Sequence, residues 1–167
     1  MTFGRPTLEQ ATQWLTDQGH QAALPLLALT GGTPIRAIEE FEKGRLKTFD
    51  DIANSLFENS GDFLALAGRW ETHLKKEGGL KMDELVAMIQ KALFDLASLK
   101  LTGQLRFFAS REQQAKAISS QADSGSIMSY YNELQRARAL ASHPLNPRLF
   151  MDDIAARYLR AIAPVRS

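Results

Sequence analysis

Between Met82 and Thr102 apolar residues cover so much of a helical circumference that the segment fits only in the middle of a helix bundle. Met82, Leu85, Val86, Ile89, Leu93 and Leu96 form one stripe, and Met88, Ala92 and Leu99 widen it. Apolar residues recur at helical spacing along the rest of the chain, and no segment alternates with the period of two that a half-buried strand needs. The pattern predicts an all-α fold of about nine helices, with no repeat of solenoid length.

Local signals place the remaining helices. Thr7 and Gln10 have capping-box spacing, and Leu8, Ala11 and Leu15 line the face that follows. Pro25 sits near the start of a second apolar segment, Ala22 to Leu29, because proline is tolerated only in a first helical turn. In Thr30-Gly31-Gly32-Thr33-Pro34 the glycines stop one helix, while Thr33 and Pro34 open another that carries Ile35, Ala37, Ile38 and Phe41 as far as Gly44. These three helices read as one small unit.

Gly44 to Lys47 reads as a linker, with Thr48 capping a helix through Ile52, Leu56 and Phe57. Ser60-Gly61-Asp62 restarts the chain before Phe63, Leu66, Ala67, Trp70 and Leu74, and Glu77-Gly78-Gly79 ends that helix. Beyond the long helix, Ser110 and Gln113 have capping-box spacing, and residues 119–126 read as a polar connection. A helix from about Ser126 to Ala141 is expected to bury Ile127, Tyr131 and Leu134. Asn146 and Pro147 open the last, whose face is Met151, Ile154, Ala155, Tyr158 and Ile162. The division expected is a three-helix unit over residues 1–44, followed by a helical-bundle domain over residues 45–167.

Composition narrows the chemistry. At 167 residues and 44% hydrophobic, the chain can bury a core of one domain or slightly more. Twenty Lys and Arg against 19 Asp and Glu leave a net charge of +1, without the overall basic footprint of a nucleic-acid binder. No cysteine is present, so disulfides and thiolate metal sites are excluded. No apolar run reaches membrane-spanning length, and the first residues do not have the pattern of a signal peptide, so a cytoplasmic location is expected.

No catalytic constellation stands out. His20, His73 and His143 are far apart in sequence and fall in no metal-ligand spacing. Asp50-Asp51 and Asp152-Asp153 are each expected in the first turn of a helix, where negative charge complements the macrodipole. Gly31 to Pro34 lacks the spacing and the preceding strand of a phosphate loop. Lys75-Lys76 reads as a solvated helix end, and Trp14 and Trp70 read as core. Arg136, Arg138, Arg148, Arg157 and Arg160 make the last third locally basic, although Glu133, Asp152 and Asp153 are interspersed.

Two stretches together resemble a known family. Trp14-Leu15, an Ala/Leu-rich helix, and then Leu29-Thr30-Gly31-Gly32-Thr33-Pro34-Ile35-Arg36-Ala37-Ile38 resemble the lid domain of clamp-loader subunits. A helix with Arg136-Ala137-Arg138, followed by Leu145-Asn146-Pro147-Arg148-Leu149-Phe150-Met151-Asp152-Asp153-Ile154, resembles the closing segment of delta-prime subunits of bacterial DNA polymerase III. The resemblance spans about Thr7 to Ile162, and the order and spacing of the motifs carry it more than any single motif does.

The resemblance implies a three-helix lid and a helical collar, here without the ATPase-type domain that precedes them in the family, and hence a domain-level fragment. It also implies a non-catalytic scaffold with no cofactor, assembling with gamma/tau and delta subunits. Such an assembly would load a sliding clamp onto primed DNA, which this region would meet only indirectly. The lid turn would be Gly31, Gly32, Thr33 and Pro34. Ile35 would stand where active family members place a nucleotide-sensing arginine, with Arg36 one residue later and about 100° further round the helix. Partner anchors would come from the last two helices, with Tyr130, Tyr131, Arg138, Phe150 and Tyr158 as candidates. The same residues would serve equally as internal core. A helical nucleic-acid-binding or adaptor domain using the Arg-rich C-terminal third is the alternative.

Overall fold

The computed structural model describes residues 6–58, 61–141 and 145–165. Among these, the chain forms nine α-helices and no strand: α1 (Leu8–Asp17), α2 (Leu24–Leu27), α3 (Pro34–Glu42), α4 (Leu46–Phe57), α5 (Phe63–Lys75), α6 (Met82–Thr102), α7 (Glu112–Gln121), α8 (Ser124–Ala141) and α9 (Pro147–Ala161). The fold is all-α. No helix among the described residues is long and apolar enough to cross a membrane.

Helices α1 to α3 pack on one another, α6 packs chiefly on α8 and α7, and α5 packs on α9. A single cluster of buried residues runs from Ala11, Leu15 and Leu26 through α4 and α6 to Tyr158 and Ile162. Helix α6 spans Met82 to Thr102 as its stripe predicts and is buried over most of its circumference, with Asp83, Ala87, Lys91, Phe94 and Leu101 on the face left partly open. At its C-terminus Gly103 adopts φ 75°, a conformation that only glycine takes cheaply.

The capping box of α1 forms as read: Thr7 Oγ1 accepts from the Gln10 amide at 3.1 Å and Gln10 Oε1 accepts from the Thr7 amide at 2.9 Å. Other boundaries need correction. Residues 44–47 are not a slack linker and Thr48 is not a cap, because α4 already begins at Leu46 and Thr48 is buried inside it. Gly44, at φ 73°, closes α3 by donating to Phe41 O while Arg45 N donates to Glu40 O, so one short turn joins the helices. Arg45 fixes that turn, with Nη1 2.6 Å from Glu84 and 3.1 Å from Glu40, and Nη2 donating to Gly79 O. The earlier start moves Asp50 and Asp51 out of the first turn, and Asp152 and Asp153 also lie beyond the first turn of α9. Asp62 caps α5 through its Oδ1, whereas Ser60 of that restart lies outside the described residues.

Ser110 forms no capping box. It stands in a single 3₁₀ turn ahead of α7 and accepts from the Arg111 guanidinium. The polar stretch 119–126 is mostly helix, because Ala115, Ile118 and Ala122 continue a buried face and Ser119 donates to Leu96 O at 3.0 Å. Asp123 then caps α8, accepting from Ser126 N at 2.9 Å. Trp14, expected in the core, is 42% exposed, whereas Trp70 is fully buried.

Three helices are joined where Trp70, Tyr158 and Ser55 meet. Trp70 Nε1 donates to Ser55 Oγ at 2.8 Å, and its ring meets the edge of Tyr158 at 6.3 Å. Tyr158 donates its hydroxyl to Leu56 O at 2.6 Å. That carbonyl belongs to the last turn of α4, where the helix supplies no partner of its own. Tyr158→Phe should therefore cost about 1–2 kcal/mol, by leaving a buried acceptor unpaired. Urea unfolding followed by circular dichroism checks this, with an unchanged slope and a lower midpoint expected.

Candidate functional site

The turn at Gly31 and Gly32 is a helix stop. Both glycines have positive φ, 75° and 77°, and donate to Ala28 O and Leu27 O, which satisfies the last carbonyls of the preceding segment. Thr30 Oγ1 adds bonds to Leu26 O and Leu27 O, each 3.0 Å. Thr33 stands at the N-cap of α3 without a side-chain cap bond, and Pro34 takes the first helical position. The turn thus aims the first residues of α3. Ile35 points outward, 62% exposed, beside Trp14 and Pro34 in a shallow apolar groove.

Arg36, one residue on, lines a different feature. A cleft of about 510 Å³ opens between α3, α6 and α8, with Lys91 of α6, Arg106 of the following turn and Arg138 of α8 also on its walls. Lys91 reaches across to donate to Leu29 O at 2.8 Å, and its ammonium lies 5.5 Å from the centre of the Phe107 ring. The Arg106 guanidinium lies 5.1 Å from the same ring. Burial pulls the Lys91 amine below the ordinary lysine range; Arg36 and Arg138 push it further down, and Glu40 opposes them.

The turn carrying Arg106 and Phe107 is fixed by Asp95. That carboxylate, buried on α6, accepts from the backbone N–H groups of Arg106, Phe107 and Phe108 at 2.8–3.3 Å. Phe108 then meets the edge of Phe57 at 5.1 Å. Neither Asp95 nor Lys91 was singled out from the sequence. The available signal was that charged residues interrupt a helix that is otherwise largely apolar.

The candidate anchors separate into three groups. Tyr158 and Tyr130 are interior residues, with Tyr130 donating to Ile154 O at 2.7 Å, so neither offers a side chain to a partner in this conformation. Tyr131, expected to be buried, is half-buried instead, because Tyr130 takes the position facing α9. Tyr131 and Arg138 both line the cleft. Phe150 is half-buried against the core at the opening of α9.

Two of the five arginines of the basic C-terminal third are neutralised. Arg148 pairs with Glu71 and Asp152, and Arg157 with Glu133 and Asp153. Asp50 pairs with Arg111, and Asp51 lies 3.9 Å from His73, which burial holds below its ordinary value. No group of three potential metal-ligating side chains converges among the described residues. His20 is exposed and His143 lies outside the described residues. Lys75 pairs with Glu71 at the end of α5.

No protein-family model matches this chain, and neither a curated protein nor a solved structure matches it.

The electrostatics of the cleft have a measurable consequence. Lys91 should lose its proton below the ordinary lysine value in an NMR titration of its side chain, and Arg138→Gln should move that value upward by removing a like charge. Between the folded and unfolded values the unfolded chain binds a proton that the folded chain lacks, so stability should rise with pH across that window and fall as pH drops through the folded value. The slope should flatten in Arg138→Gln.

Proposed function

We propose that the chain is the lid and collar portion of a bacterial clamp-loader delta-prime subunit, a non-catalytic cytoplasmic scaffold that assembles with gamma/tau and delta subunits. The observation that carries this reading is the position of the two resembling segments. Gly31 to Pro34 forms the turn into the last helix of a three-helix unit, and Asn146-Pro147 opens the last helix of the bundle that follows. In this reading residues 1–44 are the lid and residues 45–167 the collar, and the assembled ring loads a sliding clamp onto primed DNA.

Exposed apolar side chains add support, since a hetero-oligomeric scaffold must offer surface of this kind. Leu145 and Leu149, within the C-terminal resembling segment, are exposed beside the half-buried Phe150. Leu8, Trp14 and Ile35 are exposed on the three-helix unit. With Tyr130 and Tyr158 inside, Leu149 and Phe150 become the anchors of choice on α9. The competing nucleic-acid reading loses ground because Arg148 and Arg157 are each held by two carboxylates.

Size-exclusion chromatography with light scattering, mixing the chain with collar-containing gamma and delta subunits of the same source, tests the proposal. A stoichiometric complex that survives moderate salt is expected, and Leu149→Asp should weaken it. No complex with folded partners would overturn the assignment.

A further inference from the structure

The cleft between α3, α6 and α8 gathers positive charge without spending it. Arg36, Lys91, Arg106 and Arg138 come from four separate segments, and none of the four forms an ion pair among the described residues. Three acids share the cleft, but Glu40 and Glu84 are committed to Arg45, which leaves Asp83 as the acid not held by a cation. Arg36 lies in the first turn of α3, where the helix macrodipole is itself positive, so its placement adds to the potential. Elsewhere on this surface Arg111, Arg148 and Arg157 are paired with carboxylates, while Arg136 and Arg160 stand singly among the described residues. Here four unpaired cations share one cleft.

The chemistry of the walls narrows the ligand. Three guanidiniums at the rim present planar donor forks suited to tetrahedral oxyanions, and a lysine at the floor presents a compact charge. The Phe107 ring carries cations against it, so the cleft is built for charge more than for stacking a base. A ligand with a single negative charge would leave most of the cations unanswered. A chain of linked phosphoryl groups matches their number and fits a volume of about 510 Å³.

We propose that this cleft is a binding site for a small oligophosphate, held by Arg36 from the three-helix unit and by Lys91, Arg106 and Arg138 from the bundle. The ligand bridges the two parts of the chain and offsets like charges that the fold brings together. The phosphate chain can be inorganic or belong to a nucleotide, and the same residues bind it in either case.

Isothermal titration calorimetry at low ionic strength, with tripolyphosphate and a nucleoside triphosphate titrated separately into the 167-residue chain, tests this. Saturable binding at one site is expected, and the side-chain NMR signal of Lys91 should move as the site fills. Arg36→Gln with Arg138→Gln should weaken binding roughly tenfold or more, since two charge-assisted contacts are lost. Arg136→Gln with Arg160→Gln removes the same charge from exposed positions outside the cleft and should leave affinity unchanged. Equal affinities for the two probes identify the phosphate chain alone as the ligand, and a tighter nucleotide adds recognition of its nucleoside. Either supports the site. Unsaturable heats, an unmoved Lys91 signal, or equal losses in both variant pairs would overturn it. So would tighter binding of a short single-stranded oligonucleotide than of tripolyphosphate.

Discussion

A helix that is apolar over most of its circumference cannot rest against a single neighbour, and α6 imposes that condition on the whole chain. Eleven of its 21 residues are buried, from Met82 and Leu85 to Leu96 and Ala97, and they cover most of the circumference outside the face that lines the cleft. Water must therefore be excluded over that wide surface, and helices α7 and α8 supply the closest cover. The remaining helices extend the same buried cluster in both directions, to Leu15 and Leu26 at one end and to Trp70 and Tyr158 at the other.

Burial also strands polar groups, and the fold answers several of them with specific partners. Ser119 returns its hydroxyl to Leu96 O, Ser55 accepts from Trp70, and Tyr158 reaches Leu56 O across more than a hundred residues of chain. An unpaired buried polar group costs more than a satisfied one returns, so these bonds select an arrangement more than they drive folding. Arg45 shows a less complete case. Its Nη atoms hold Glu40, Glu84 and Gly79 O, while its buried Nε has no partner.

What was legible in the sequence was local. The Thr7 capping box, the glycine stop before Pro34 and both limits of α6 depend on residues a few positions apart, and all appear as read. Thr48 misled because a capping residue type can equally be buried mid-helix when Leu46 and Phe49 extend the apolar face backwards. Tyr130 and Tyr131 differ by one position, about 100° on a helix, and only packing against α9 decides which of them turns inward. The cleft was not legible at all. Arg36, Lys91, Arg106 and Arg138 span a hundred residues, and no spacing rule joins them before the helices are placed.

Asp95 has a consequence for motion. A turn after a long helix ordinarily exchanges its amide hydrogens with solvent quickly, since nothing holds the N–H groups. Here one carboxylate grips three successive N–H groups from inside the core, although burial itself raises its affinity for a proton. Opening the turn would mean leaving a charged carboxylate buried without its donors. The segment from Arg106 to Phe108 is thereby coupled to the interior of α6, and its amides open with the core and not with the surface.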